Sequence, residues 1–210
     1  MRLTIKQFQD ILEVNKMSLD DLEKSIFFVM ILTGKTEFEV NKMSIKRFNK
    51  LCKRVLDEFE IMAKGLNDQK PVNLIKANGT WYWLDYDIKK MNTGQYVETA
   101  TFGVDLLSNL HKLLATMATP MKWSWKGLKK VKEKDHEKVA EDMLNADFRH
   151  CYHAAVFFYA VFKESILNLS PYLESQTEKK QELKEALIGF SKISDGSIMP
   201  KWFQSLKISV

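Results

Sequence analysis

The sequence predicts a mainly α fold with a small antiparallel β-sheet (α+β), in which a helical domain carries a β-hairpin. Apolar residues recur at helical spacing through most of the chain. The exception is Asn78-Gly79, which joins two β-prone runs at residues 72–77 and 80–84. Asn-Gly is typical of a type I′ hairpin, because both central residues of that turn need a positive φ. A lone hairpin is only marginally stable in water, so we expect this one to pack on the helices or on another chain.

Residues 1–66 are predicted to form an N-terminal helical unit. The signals are polar side chains that cap helix N-termini and glycines that follow the last apolar residue of a helix. The predicted starts are Thr4 with Gln7, Ser18 with Asp21, Thr36, and Ser44, and the predicted ends include Gly34 and Gly65. Apolar residues from Ile45 to Met62 form a stripe, which predicts a helix with one buried face.

Residues 67–210 are predicted to contain the hairpin, a helical bundle and a C-terminal arm, and the pattern is also compatible with one compact domain for the whole chain. Alternating polarity predicts a third strand over residues 95–102. Helices are predicted from Asp105 to Pro120, from Asp135 or His136 to about Leu169 with a break near residues 145–147, and over residues 178–190. Large apolar side chains near the end predict an ordered arm.

Composition limits the class of protein. The net charge of +5 is compatible with contact to nucleic acid or to an acidic protein surface, and equally with an ordinary soluble protein that carries spare lysines. The two cysteines, Cys52 and Cys151, form no CxxC pair, which argues against a disulfide framework or a zinc site. The longest apolar run, residues 154–162, is too short to span a bilayer, so we expect no membrane contact.

One cluster contains residue types that are common in catalytic and metal-binding sites, namely Asp147, His150 and His153. A carboxylate with two imidazoles can bind a transition metal or activate water, which makes a metal-dependent hydrolase one alternative. The spacing is neither His-Glu-x-x-His nor the Glu-x-x-His repeat of di-iron bundles. The same residues also fit a polar face beside a buried aromatic helix. We find no phosphate loop or nucleophile elbow, and we assign no catalytic residue, metal ligand or cofactor.

Residues 121–134 combine lysines with Trp123 and Trp125. Three interpretations fit this segment. It can be a strand that docks its tryptophans on the core, an exposed protein interface, or a nucleic-acid interface in which lysines such as Lys129 and Lys130 neutralise phosphates while the rings stack on bases. A nucleic-acid-binding protein is therefore another alternative.

Strand alternation places Trp81 and Trp83 on one face of the hairpin and Tyr82 on the other. Aromatic residues are enriched at the centres of interfaces, so we expect the hairpin to contact a neighbouring chain as well as its own helices. The full interface hypothesis comprises the residues Trp81, Trp83, Trp123, Trp125, Lys129, Lys130, Trp202 and Phe203.

Two stretches carry a family resemblance. Residues 31–48 resemble tail-assembly chaperones of tailed bacteriophages. Those proteins tend to have a helix that ends in Leu-x-Gly, then a short acidic helix, then a small residue that caps another helix. The matching positions here are Leu32, Gly34, Glu37, Met43, Ser44 and Phe48. Residues 92–98, 109–115, Pro120 and 136–143 are similar to proteins from the tail and virion gene blocks of crAss-like Bacteroides phages.

The resemblance implies a non-enzymatic structural or assembly protein of a phage particle, present in many copies. It implies a homo-oligomer that binds other phage structural proteins, with contact to packaged DNA as a further possibility. The expected location is the virion, after synthesis in the bacterial cytoplasm. The length, the hairpin and the aromatic arm depart from a pure chaperone, and they favour a component that stays in the particle, such as part of a tail or neck ring.

Overall fold

A computed structural model describes residues 2–65, 70–125, 127–131 and 134–173 of the chain. In chain order the elements are α1 (Ile5–Lys16), α2 (Asp21–Thr33), α3 (Glu37–Asn41), α4 (Ile45–Gly65), β1 (Leu74–Ala77), β2 (Thr80–Leu84), a 3-10 turn (Ile88–Lys90), α5 (Thr93–Gly103), α6 (Leu110–Met117), β3 (Ala118–Ser124), β4 (Gly127–Lys130), α7 (His136–Met143) and α8 (Phe148–Leu173). The predicted last helix and C-terminal arm, with Trp202 and Phe203, lie outside the described residues.

Helices and a small antiparallel sheet share the main apolar core, which confirms the predicted fold class, and a smaller cluster around Val29, Val40 and Cys52 joins α2, α3 and α4. Helix α6 lies at the centre of the main core, where Leu110, Leu113 and Leu114 are fully buried and contact α5, α7 and α8. Phe8 of α1 stacks on Phe148 of α8 with ring centroids 3.7 Å apart. Among the described helices, none is both long enough and apolar enough to cross a membrane.

The capping signals of the N-terminal helices are mostly confirmed. Thr4 and Gln7 form a reciprocal capping box at the start of α1, and Gly34 ends α2 in the left-handed conformation with φ of 66°. The prediction that Ser18 begins α2 is wrong. Asp20 is the cap instead, because its carboxylate accepts the N–H of Glu23 while the Glu23 side chain accepts the N–H of Asp20.

The strand predicted over residues 95–102 is wrong, because this segment forms α5. Asn92 begins the helix with a capping box, in which its side chain accepts the N–H of Gln95 and the Gln95 side chain accepts the N–H of Asn92. The β-branched residue Thr99 is fully buried in this helix, and its hydroxyl donates to the carbonyl oxygen of Gln95. Local capping therefore outweighs strand propensity here.

The helix predicted from Asp105 to Pro120 is shorter than expected. Residues 104–109 form turns, with the Asp105 carboxylate accepting the N–H of Ser108, and α6 begins only at Leu110. The helix ends at Met117, and Pro120 lies inside strand β3 rather than at a helix end. Pro120 stands opposite Tyr82 of β2, so the proline belongs to the sheet.

The predicted hairpin is confirmed, and it is half of a four-stranded antiparallel sheet with the order β1-β2-β3-β4. Asn78 and Gly79 both have positive φ values, 46° and 80°, as a type I′ turn requires. The sheet is completed by residues far along the chain, because β3 follows α6 directly and pairs with β2. The side chains of Tyr82 and Leu84 point into the core and are buried.

Candidate binding surface

The outward side of the sheet carries a tryptophan–lysine face, which we define as Lys76, Trp81, Trp83, Met121, Trp123, Leu128 and Lys130. The register places these residues on one side, since paired residues in neighbouring strands share a face and alternate residues along a strand do too. One row crosses all four strands and consists of Lys76, Trp81, Met121 and Lys130. Tyr82 and Leu84, one residue out of phase on β2, are buried on the opposite side.

Lysine side chains lie beside the tryptophan rings of this face. The Lys76 ammonium lies 5.8 Å from the ring centroid of Trp81, and the Lys130 ammonium lies 5.4 Å from that of Trp83. Lys130 also forms an ion pair of 3.7 Å with Asp85. In a cation–π contact of this kind the ammonium group lies over the ring, so the lysine occupies part of the aromatic face. Trp81 remains 37 % exposed, so a flat partner can still reach it.

Beyond Met121 the hairpin of β3 and β4 extends past the last paired residue of β2, and we call residues 122–129 the β3–β4 tip. Trp123 is 80 % exposed and Trp125 is 90 % exposed. The interpretation that these tryptophans dock on the core is therefore wrong. Lys122 and Lys129 stand directly opposite each other in the register, so the tip also carries a pair of like charges, which is unfavourable in a sheet.

The buried side of the sheet is fixed to α7 by polar contacts. The Tyr82 hydroxyl and the Asn78 amide both donate to the carboxylate of Asp142, which is only 7 % exposed. Burial and this carboxylate raise the pKa of Tyr82, so the phenol stays protonated and remains a donor at neutral pH. The contact sets the angle at which the outward tryptophans are presented, because Tyr82 lies between Trp81 and Trp83 on the same strand.

A cleft of about 560 Å³ lies between the sheet and α7, and its lining includes Tyr82, Lys122, Lys134, Lys138 and Asp142. Two of its charged groups are already engaged within the fold. Asp142 accepts the two hydrogen bonds described above, and the Lys134 ammonium donates to three backbone carbonyls at the end of α6, those of Ala115, Thr116 and Ala118, at 2.7, 2.9 and 3.2 Å. Burial lowers the pKa of Lys134. Both groups therefore serve the structure.

A second polar cluster joins α5, α6 and α7, and no motif in the sequence predicts it. The Thr116 hydroxyl lies 3.1 Å from the Glu98 carboxylate and 3.4 Å from Nε2 of His136. The same Nε2 atom lies 3.5 Å from Glu98. A hydroxyl–imidazole–carboxylate relay needs the two ring nitrogens to face different partners, whereas here one nitrogen faces both. The arrangement therefore links three helices and does not resemble an activated nucleophile.

The structure does not bring Asp147, His150 and His153, the residues of the metal-dependent alternative, together as a metal site. Asp147 begins α8, where its carboxylate accepts the N–H groups of Arg149 and His150, and it also lies 3.7 Å from Arg2. His150 approaches Asp147 only at 3.8 Å, and His153 is buried with its ring edge-on to Tyr152. Across the part of the chain that the structure describes, no group of three or more His, Cys, Asp or Glu residues is placed to hold a metal ion.

Of the residues predicted for an interface, Trp81, Trp83, Trp123 and Lys130 come together on one face, while Trp125 and Lys129 lie on the adjoining β3–β4 tip. Sequence reasoning missed Lys76 as a member of this face, although the alternation of β1 contains the signal once the register is known. Comparison of the chain with protein-family models, with curated proteins and with solved structures gives no match.

Proposed function

We propose that this chain is a non-enzymatic structural or assembly component of a tailed phage particle, which works by binding other macromolecules through the tryptophan–lysine face and the β3–β4 tip. The observation that carries the proposal is the exposure of Trp123 and Trp125 on a tip that extends from the four-stranded sheet. Large aromatic side chains held in water cost free energy that only a partner can recover, and they are the residues that most often dominate binding.

The phage assignment rests on the resemblance of residues 31–48 and of the segments between 92 and 143 to phage tail and virion proteins. A scaffold role agrees with the chemistry of the interior, since the charged residues Asp142 and Lys134 in the cleft are engaged in structural hydrogen bonds. We expect the protein to act as a homo-oligomer among phage structural proteins, in the virion, after synthesis in the host cytoplasm.

The proposal is tested with purified protein and the tail and portal proteins of its parent phage. Size-exclusion chromatography with light scattering should show a homo-oligomer or a complex with one of those components. Trp123→Ala with Trp125→Ala should weaken the association, because both rings are solvent-exposed in the isolated chain. The matched control is Phe38→Ala, since Phe38 is an exposed aromatic residue on α3, outside the sheet.

A strictly monomeric protein with no affinity for any tail or portal component would contradict the proposal. Elemental analysis of the purified protein tests the hydrolase alternative at the same time. Zinc, iron or manganese in stoichiometric amount, lost on substitution of Asp147 or His150, would favour that alternative instead.

A further inference from the structure

The charge of the chain is concentrated in the segment that builds the exposed tip. Residues 121–134 contain six lysines and one glutamate, so this segment has a formal charge of +5, which equals the net charge of the whole chain. The remaining residues are therefore neutral in sum. Of these lysines, Lys122, Lys129 and Lys130 are exposed in the structure, whereas Lys134 donates to backbone carbonyls at the end of α6 and serves the fold. A local excess of this kind attracts a polyanion rather than a neutral or mixed-charge surface.

The distances between the tryptophans allow each ring to stack on a different planar group, such as a nucleobase. Trp81 and Trp123 are diagonal neighbours on adjacent strands, a separation of about 7–8 Å. Trp81 and Trp83 are two residues apart along β2, a separation of about 7 Å. Bases in a duplex are stacked about 3.4 Å apart and hide their faces, so a duplex cannot use these rings. A single strand with its bases spread apart can stack on them.

The lysines distinguish this surface from an ordinary protein interface. Lysine is depleted at the centres of protein interfaces, yet Lys76 and Lys130 lie in the same cross-strand row as Trp81. Two lysines also stand opposite each other at the tip, and the ammonium groups of Lys122 and Lys129 repel each other in the free protein. A phosphate backbone that passes beside the tip relieves this repulsion, whereas an apolar protein partner increases it by removing water.

From these observations we infer that the tryptophan–lysine face and the β3–β4 tip bind single-stranded nucleic acid. Bases stack on Trp81 and Trp123, and phosphates lie beside Lys76 and Lys130 of the same face and reach Lys122 and Lys129 around the tip, because strand alternation places that pair on its other side. This inference rests on the proposed function, because it names the partner of the same surface. Trp125 at the tip provides a further ring for a neighbouring base.

The experiment titrates the full chain into a fluorescein-labelled oligothymidylate of about 16 nucleotides and follows fluorescence anisotropy. The matched probes are a duplex of the same length and poly-L-glutamate, which carries the charge without bases. We expect the oligothymidylate to bind most tightly and to quench tryptophan fluorescence. Trp123→Ala should weaken its binding by about 5- to 150-fold, the range that loss of one stacked base gives.

The lysine contribution is measured by salt dependence between about 50 and 200 mM. Substituting Lys122, Lys129 and Lys130 together with alanine should reduce the slope of log K against log salt by about 2, since each phosphate contact in a single strand contributes about 0.7. The control variant substitutes Lys46, Arg47 and Lys50, which are exposed on α4 and carry the same total charge. Its slope should equal that of the wild type.

The inference is overturned if the protein binds poly-L-glutamate and oligothymidylate with equal affinity. It is also overturned if the two triple variants lose the same amount of salt-dependence slope, because either result means nonspecific charge attraction. Tighter binding of the duplex would overturn it as well. If the oligothymidylate does not bind while Trp123→Ala still abolishes association with phage components, the inference is wrong and the proposed function stands. If neither association occurs, both are wrong. Thermal unfolding of each variant confirms that the fold is intact.

Discussion

The hydroxyl of Tyr82 donates a hydrogen bond of 2.5 Å to Oδ2 of Asp142, and this contact joins the second strand of the sheet to helix α7. The two residues are 60 positions apart in the chain. Their side chains are buried, so neither group can exchange its partner for water without local opening. The hydrogen bonds that Tyr82 and Asn78 donate to Asp142 therefore hold the sheet in place from the side opposite to the solvent-facing tryptophans.

Tyr82→Phe is expected to lower the free energy of unfolding by about 1.5–3 kcal/mol, because it leaves a buried carboxyl oxygen of Asp142 without its phenol donor. Urea denaturation followed by circular dichroism measures the change. The matched control is Tyr86→Phe, since the Tyr86 hydroxyl donates to a neutral carbonyl oxygen, that of Val72. Loss of this neutral hydrogen bond should lower the free energy of unfolding by about 0.5–1.5 kcal/mol. Equal losses in the two variants would contradict a special role for Asp142.

Gly79→Ala is expected to destabilise the protein by about 1–2 kcal/mol. Gly79 has φ of 80°, and a Cβ atom there would meet nothing within 4 Å, so the cost is that of the backbone conformation alone. Gly79→Asn provides the comparison, because asparagine tolerates positive φ better than alanine does. Urea unfolding should rank the wild type first, the asparagine variant second and the alanine variant last. A different order would mean that the turn changes type.

Lys134→Met is expected to lower the free energy of unfolding by about 1.5–3 kcal/mol, since three carbonyl oxygens at the end of α6 lose a charged donor. Methionine retains much of the aliphatic stem, which limits the effect to the ammonium group. Lys138→Met is the control, because Lys138 is exposed on the neighbouring helix α7. An unchanged stability of the Lys134 variant would show that water replaces the ammonium.

Stability is expected to fall at alkaline pH. Burial raises the pKa values of Tyr82, Tyr86, Tyr152 and Tyr159 above the usual phenol value of 10.0, that of Tyr152 to about 12. Above pH 10 the unfolded chain loses phenol protons that the folded chain retains. The unfolded state then binds fewer protons, so the free energy of unfolding decreases as pH rises from about 10 towards the folded pKa values.

Urea denaturation at a series of pH values from about 8 to 11 measures this loss, and absorbance near 295 nm counts the tyrosinates in the folded protein. At pH values below the alkaline unfolding transition, only the more exposed tyrosines of the folded protein should ionise. Tyrosines that all ionise near their usual pKa without unfolding would contradict the burial seen in the structure.

Local signals in the sequence predicted local structure well. Asn78-Gly79 forms the expected turn and Thr4 with Gln7 the expected cap, because each depends on residues that are close along the chain. The strand predicted over residues 95–102 fails for a related reason. Its β-branched and aromatic residues favour a strand, but the Asn92 and Gln95 capping box begins a helix just before them, and the core accepts Thr99 on a helix face.

The binding surface was predictable only in part. Exposed tryptophans and lysines were identified as residue types, yet their common face depends on the pairing of β2 with β3, which are separated by all of α5 and α6. No local sequence pattern predicts which strands pair across such a distance along the chain. Nor does any local pattern predict that β3 continues past the end of β2. The exposure of Trp123 follows from that overhang, and therefore from tertiary structure.

The first residues of the chain are held by its later half. The backbone of Ile5 and Lys6 donates to the carbonyl oxygens of Ala146 and Leu144, and the N–H of Phe148 donates to Leu3. During synthesis on the ribosome these partners emerge long after α1 has left the exit tunnel. Helix α1 can pack on α2 early, but the part of its surface that contacts α8 stays uncovered until the later half of the chain has been made.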